Sequence, residues 1–273
     1  MRNVRLEICY DGTRYKGWQR QTATDNTIQG KLEAVLSRLL EQQIEVHGSG
    51  RTDAGVPAMC QTANFYCDSD MSAQEILSGL RRYLPEDIGI YSCKDVSPRF
   101  HARLNALRKT YRYRIWNSDT PCVFGRRYVA VRPEPLDLQR RQQAAEHFLG
   151  QHDFAAFCTN KRMKKSTVRR IDSIQICREG PEVRITVTGN GFLHNMVRII
   201  TGTLIEVGRG ERETESIAQL FDGQRMDTGF LAPAQGLCLM EVTYCTFRSS
   251  ESPNASTPNR RSATSRSAGS SIS

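Results

Sequence analysis

Gly48-Ser49-Gly50-Arg51-Thr52-Asp53-Ala54-Gly55-Val56 sets a carboxylate and a guanidinium two residues apart among three glycines. Such a loop bends tightly and lets the backbone approach another molecule closely. Asp53 then reads as a reactive carboxylate offered to a ligand. The residues alone leave a plainer reading open, in which Asp and Gly only make the turn and Arg51 pairs with a distant acid. The phosphate-cradling pattern G-x-x-x-x-G-K-[ST] is absent from the loop.

Regular elements must hold this loop. Val4, Leu6, Ile8 and Tyr10 alternate as a strand, and Ile28 to Leu40 follow helical spacing behind a cap at Asn26-Thr27. Strand-like runs at 44–48 and 59–66 flank the loop. Ser72-x-x-Glu75 is a capping box opening a helix to about Leu84, and 88–96 reads as a strand. The order is β-α-β-β-α-β, a split ferredoxin-like (RRM-like) arrangement.

The second half predicts strands at 109–116, 128–132, 168–177, 182–188 and 237–247. Helices are expected at 137–149, 192–207 and 213–222. The expected fold class is α+β: two ferredoxin-like halves sharing a mixed, mainly antiparallel sheet, with helices on one face and a central cleft. That arrangement leaves the other face open for a polymer. The boundaries are an N-terminal half at 1–104, a C-terminal half at 105–248 and a tail at 249–273. The tail has ten Ser and Ile272 as its only large aliphatic, so disorder is expected.

The 38 Lys+Arg against 29 Asp+Glu give a net charge of +9. Arg accounts for 31 of the cations, which suits phosphate forks and base stacking, although a G+C-rich genome inflates Arg as well. Five Arg and Lys109 fall between Arg99 and Arg114, and six cations between Lys161 and Arg170, with no acid in either run. Such runs point to an anionic partner, nucleic acid ahead of a membrane surface. No apolar run approaches the ~20 residues of a membrane helix, and the N-terminus lacks a secretory signal. Nine scattered Cys without a C-x-x-C read as reduced thiols in the cytoplasm.

The loop resembles the active-site signature of the bacterial tRNA pseudouridine synthase A family, G-x-G-R-T-D-A-G-V. Tyr10-Asp11-Gly12, Gly17-Trp18-Gln19 and Thr27-Ile28-Gln29 resemble that family's opening. Arg99-Phe100-His101-Ala102-Arg103 with Lys109-Thr110-Tyr111-Arg112-Tyr113 resembles its second motif. His152-Asp153-Phe154, Phe192-Leu193-His194-Asn195-Met196-Val197-Arg198 and Ala232-Pro233-Ala234-Gln235-Gly236-Leu237 follow in family order. Pro57 and Cys60 depart from it, standing where His and Gly are usual, and put the loop's fine geometry and substrate choice in question.

The resemblance implies isomerisation of uridine to pseudouridine at positions 38, 39 or 40 of the tRNA anticodon stem-loop, without a cofactor, by a homodimer. Asp53 matches the catalytic nucleophile, Tyr111 the tyrosine against the target base, and Arg198 the basic partner of the aspartate. Arg51, Arg103 and Lys109 become substrate-binding candidates. No metal ligands are expected: His101, His152 and His194 lack metal spacing and read as packing or RNA contacts. Trp18 and Phe100 suit base stacking or core equally. Two other functions stay open, a catalytically silent tRNA-binding or folding module and a glycosidase-like hydrolase. No second acid in the matched motifs supports the hydrolase.

Overall fold

The structure is a computed structural model describing residues 1–160, 162, 164–221 and 227–245. Tail residues 249–273, Lys161 and the expected helix and strand ends at 222 and 246–247 lie outside the described residues.

Strand β1 (Arg2–Tyr10) buries Val4, Leu6, Ile8 and Tyr10 on one face, as a period of two requires. Helix α1 (Ile28–Leu39) starts where the Thr27 hydroxyl accepts from the Gly30 amide at 3.1 Å, and it buries Ile28, Leu32 and Leu36. β2 (Val46–Gly48) and β3 (Ala58–Cys67) bracket the glycine-rich loop. α2 (Ala73–Tyr83) carries the full Ser72/Glu75 capping box, and β4 (Ile88–Val96) closes the half.

The second half contains β5 (Ala106–Trp116), β6 (Ala130–Val131), α3 (Leu138–Glu146), β7 (Gly150–Asp153), β8 (Val168–Glu179) and β9 (Glu182–Gly189). α4 (Met196–Gly208), α5 (Ser216–Gln219) and β10 (Leu237–Tyr244) complete it. The sheet runs β4-β1-β3-β10-β5-β9-β8-β7, with β2 added to β3 and β6 to β5. One plan therefore occurs twice, β4-β1-β3-β2 and β10-β5-β9-β8, each the ferredoxin-like order. All pairings are antiparallel except β3–β10 and β5–β6.

The helix expected at 213–222 shrinks to the single turn α5 and the strand expected at 128–132 to the two residues of β6, and two further differences have a clear cause. β7 has no signature in the sequence, because Gly-Gln-His-Asp offers no apolar alternation; it exists by pairing with β8. Helix α4 begins at Met196 rather than 192, since Asn195 takes a left-handed φ of 63° that the preceding residues cannot continue as helix.

The site lies where the edge of β3 is shared. β3 pairs with β2 through Ala63–Phe65 and then, at Ala58, with Leu239 of β10. The Leu239 amide also donates to Pro57 O at 3.1 Å. Loop 49–57 springs from this fork, so the catalytic-loop candidate sits at the seam of the two halves. On β5, Tyr111, Tyr113 and Ile115 are buried on the face that α4 covers, while Arg112 and Arg114 turn to the other face. Sequence alone points to the helix-free face as the one open to a polymer. The cavity that holds Asp53 instead opens on the helix-bearing face, between α1 and α4.

Candidate active site

Loop 49–57 is held from several sides. The Ser49 amide donates to Thr62 O at 2.8 Å, and Gln61 takes the Ser49 hydroxyl at 2.5 Å while donating to Gly50 O at 3.0 Å. Trp18 N donates to Thr52 O at 3.0 Å, and the Tyr10 hydroxyl meets Thr52 Oγ1 at 2.9 Å. Each such bond contributes about 1 kcal/mol net and offsets part of the entropy cost of ordering the loop. Two glycines are needed for conformation. Gly55 has φ +79°, and Gly17, at φ +94°, packs so closely that a Cβ there would lie 2.8 Å from Thr52 O.

Asp53 faces a cavity of about 960 Å³ with Arg51, Arg103, Lys109, Lys165 and Arg169 among its lining residues. Arg198 stands behind the carboxylate rather than in the cavity wall, with its side chain only 13% exposed. Its Nη1 donates to Asp53 Oδ2 at 3.3 Å and to Asn195 Oδ1 at 2.9 Å, and its Nε to Ala232 O at 2.7 Å. The pair joins residues 145 apart in sequence, one from each half. Arg198 lies in the first turn of α4.

Tyr111 forms part of the same wall, edge-on to Phe192 at 5.2 Å and 86°. Its phenol is pushed well above the ordinary value by burial, with Tyr10 and the Asp53 charge adding to the effect. It is therefore a neutral hydroxyl at physiological pH. Lys109 is half-buried. Its Nζ donates to Ser49 O at 2.6 Å, and burial first, then Arg103 and Arg169, lower its pKa to about 8. Expected as a substrate contact, Lys109 braces the candidate catalytic loop.

The structure brings Asp53, Tyr111, Arg51, Arg103 and Lys109 to one cavity and Arg198 behind the Asp53 carboxylate. It adds His194, which the sequence alone presents as packing or an RNA contact: His194 Nε2 lies 3.4 Å from Asp53 Oδ1. Thr159 and Asn195 join it, the Thr159 hydroxyl meeting His194 Nδ1 at 2.6 Å and Asn195 Nδ2 at 2.9 Å. The left-handed Asn195 carries no pattern in sequence, and Thr159 lies in no matched motif. His101, by contrast, stacks on His47 at 5.2 Å, and His152 on Phe221 at 4.4 Å. Among the described residues, no group of three His, Cys, Asp or Glu side chains could hold a metal ion. Nor is any helix among them long and apolar enough to cross a membrane.

A carboxylate gripped by a guanidinium, beside a buried tyrosine in a cavity ringed by cations, is equipped to act on an anionic polymer. It can stabilise positive charge at a sugar carbon. Comparison with known proteins identifies the class. The pattern of the family described as tRNA pseudouridine synthase matches residues 8–105 and 144–245. "tRNA pseudouridine synthase A 2" of Bacillus cereus (strain ZK / E33L) is 46% identical over 245 residues, 89% of this chain and 100% of that one. "tRNA pseudouridine synthase A" of Pelobacter propionicus is 44% identical, and "tRNA pseudouridine synthase A 2" of Clostridium perfringens 42%, with the same coverage. A solved Cbf5-Nop10-Gar1 complex is a distant likeness, with a TM-score of 0.35, 10% identity and coverage of 86% of this chain and 48% of that one. The chain belongs to the tRNA pseudouridine synthase family, and is an isomerase acting on tRNA uridine.

Proposed function

We propose that this protein converts uridine to pseudouridine at one or more of positions 38, 39 and 40 of the anticodon stem-loop, with Asp53 as nucleophile. The observation that carries this reading is the contact between Asp53 and Arg198, one from each half, at a cation-lined cavity that includes Tyr111. Asp53 attacks C1′ as the N1–C1′ bond breaks, and the base turns over. C5 then bonds to C1′ and expels the carboxylate, after which the C5 proton leaves and N1 gains one. No atom or electron is gained overall, so the proposal needs no cofactor or metal.

Arg198 orients the carboxylate and, being always charged, never competes for its proton. Tyr111 stacks on the target base. As a neutral phenol it moves the C5 proton by relay, passing its own proton toward the released Asp53 carboxylate as it takes the new one. Arg51, Arg103, Lys165 and Arg169 take backbone phosphates. The repeated strand plan supports reading 1–104 and 105–248 as the two working halves, and the family resemblance supports a cytoplasmic homodimer.

The test is Asp53→Asn with uridine-containing anticodon stem-loop RNA. The amide keeps the shape but cannot act as the nucleophile. RNA binding is retained and pseudouridine is not formed; turnover near wild type removes Asp53 from the mechanism. The same pair of measurements on the wild type excludes or establishes the silent binding module.

A further inference from the structure

Arg198 alone does not fix the Asp53 carboxylate. It reaches one oxygen, Oδ2, through one nitrogen at 3.3 Å, and an Asp carboxylate rotates in a broad, two-fold well about its terminal torsion. A carboxylate that must meet C1′ within about 3–3.5 Å needs its plane held as well. The second oxygen faces His194, with Nε2 3.4 Å from Oδ1.

His194 is itself held. Asn195 Nδ2 donates to Thr159 Oγ1 at 2.9 Å, which leaves the Thr159 hydroxyl hydrogen free for His194 Nδ1, 2.6 Å away. In a neutral imidazole that bond puts the remaining proton on Nε2, the ring nitrogen 3.4 Å from Asp53 Oδ1. Arg198 closes the circuit by donating to Asn195 Oδ1 at 2.9 Å. Five side chains thus form one ring, Asp53–His194–Thr159–Asn195–Arg198. Four of its links are hydrogen bonds, and the fifth, His194 to Asp53, is a polar contact of 3.4 Å.

The backbone supports this arrangement. Thr159 N donates to His194 O at 3.4 Å, and the left-handed Asn195 turns both His194 and Arg198 toward the carboxylate. Thr159 is delivered by the turn that follows β7, where Asp153 Oδ1 accepts from Ala155 N at 3.0 Å and Phe154 and Phe157 are fully buried. The His152-Asp153-Phe154 segment thereby seats the arm that carries Thr159.

We propose that His194, oriented by Thr159, is a positioning residue for Asp53. It holds Oδ1 while Arg198 holds Oδ2, so that the carboxylate presents a fixed plane to C1′. Each carboxylate oxygen carries two lone pairs, so one engaged by its partner leaves the other for attack. The 3.4 Å separation shortens when RNA excludes water, as hydrogen bonds in empty sites do. The proposal rests on the reading of Asp53 as the nucleophile.

The experiment measures single-turnover rate at saturating anticodon stem-loop RNA, and Kd separately, for Asp53→Asn, His194→Ala, His194→Gln, Thr159→Val and His194→Ala/Thr159→Val. His194→Ala and Thr159→Val each slow the saturated rate about 10- to 100-fold and leave Kd within about threefold. The double variant is no slower than His194→Ala, because both changes act through one contact. His194→Gln, which retains an N–H donor, recovers part of the rate. His194 is 56% exposed, so its variants should keep the wild-type Tm, and Thr159→Val tests the ring without touching the imidazole.

A weakened Kd with an unchanged saturated rate makes His194 an RNA contact and overturns the proposal, as does an unchanged rate in both single variants. Additive losses in the double variant overturn it too. Product from Asp53→Asn signals instead that the reading of Asp53 has failed.

Discussion

Lys109 offers the sharpest physical test of how the candidate catalytic loop is built. Its pKa falls from 10.5 to about 8 because burial disfavours the ammonium, with Arg103 and Arg169 adding repulsion. Between those two values the unfolded chain binds a proton that the folded one has released. Stability therefore rises with pH across this window, and the ammonium's cost is fully present below about pH 8. The shift corresponds to about 3 kcal/mol. Lys109→Met removes that cost but strands Ser49 O, which loses its 2.6 Å donor at a cost of about 1–3 kcal/mol. At pH 7 the two nearly cancel. By pH 10 the wild type has recovered about 2–3 kcal/mol relative to the variant. The assay is urea unfolding of both proteins at several pH values from 7 to 10, read as the difference between them. The subtraction matters because Cys93 and Cys238, raised to about 12 and about 11 by burial, make both proteins less stable as pH climbs past 9. A difference that stays flat over this range refutes the reasoning.

Tyr111→Phe should fold and bind RNA as the wild type does, yet form product about 10²–10⁴ times more slowly in single turnover, stalling after glycosidic cleavage. A rate within a few-fold of wild type reduces Tyr111 to a stacking surface. Binding of tRNA should weaken steeply with salt. Arg103→Ala and Arg169→Ala should each flatten the log–log slope by about 0.7–0.9 for the phosphate released; an unchanged slope places that side chain away from the RNA backbone.

Periodicity made most of the fold legible. β1, α1, α2, β4 and β9 fall within a residue or two of their expected ranges, because each pairs a clear apolar repeat with a cap or turn. β7 and the start of α4 were hidden for a common reason: partners distant in sequence decide them. β7 is a strand only because β8 lies beside it, and α4 starts late because Asn195 is turned to serve Arg198 and Thr159. The candidate site divides the same way. Asp53, Tyr111 and Arg198 came from ordered motifs, and Arg51, Arg103 and Lys109 from those motifs and their charge. His194 was visible as a residue but not as a neighbour of Asp53, since no local rule brings position 194 to position 53. The cavity's face was misplaced for a related reason. Counting helices shows which face they cover, but not the gap that remains between two helical layers.

That gap explains why the chemistry sits where it does. Two ferredoxin-like sheets laid edge to edge pair one edge strand from each, and here β3 gives its edge partly to β2 and partly to β10. The loop between β2 and β3 emerges where that edge changes partners. It is anchored below by Gln61 and Trp18 of the first half and beside it by Lys109 of the second. α4 delivers Arg198 to the same place from its first turn, and the residues just before it deliver His194. Neither half holds the complete arrangement: the first supplies the carboxylate, the second the groups that orient it. Pro57 stands at the joint, its carbonyl bonded to Leu239 of β10, so the departure at that position bears on how the halves meet as well as on the loop. A fixed φ there stiffens the chain between Asp53 and the seam, and the loop inherits its position from the junction of the two sheets.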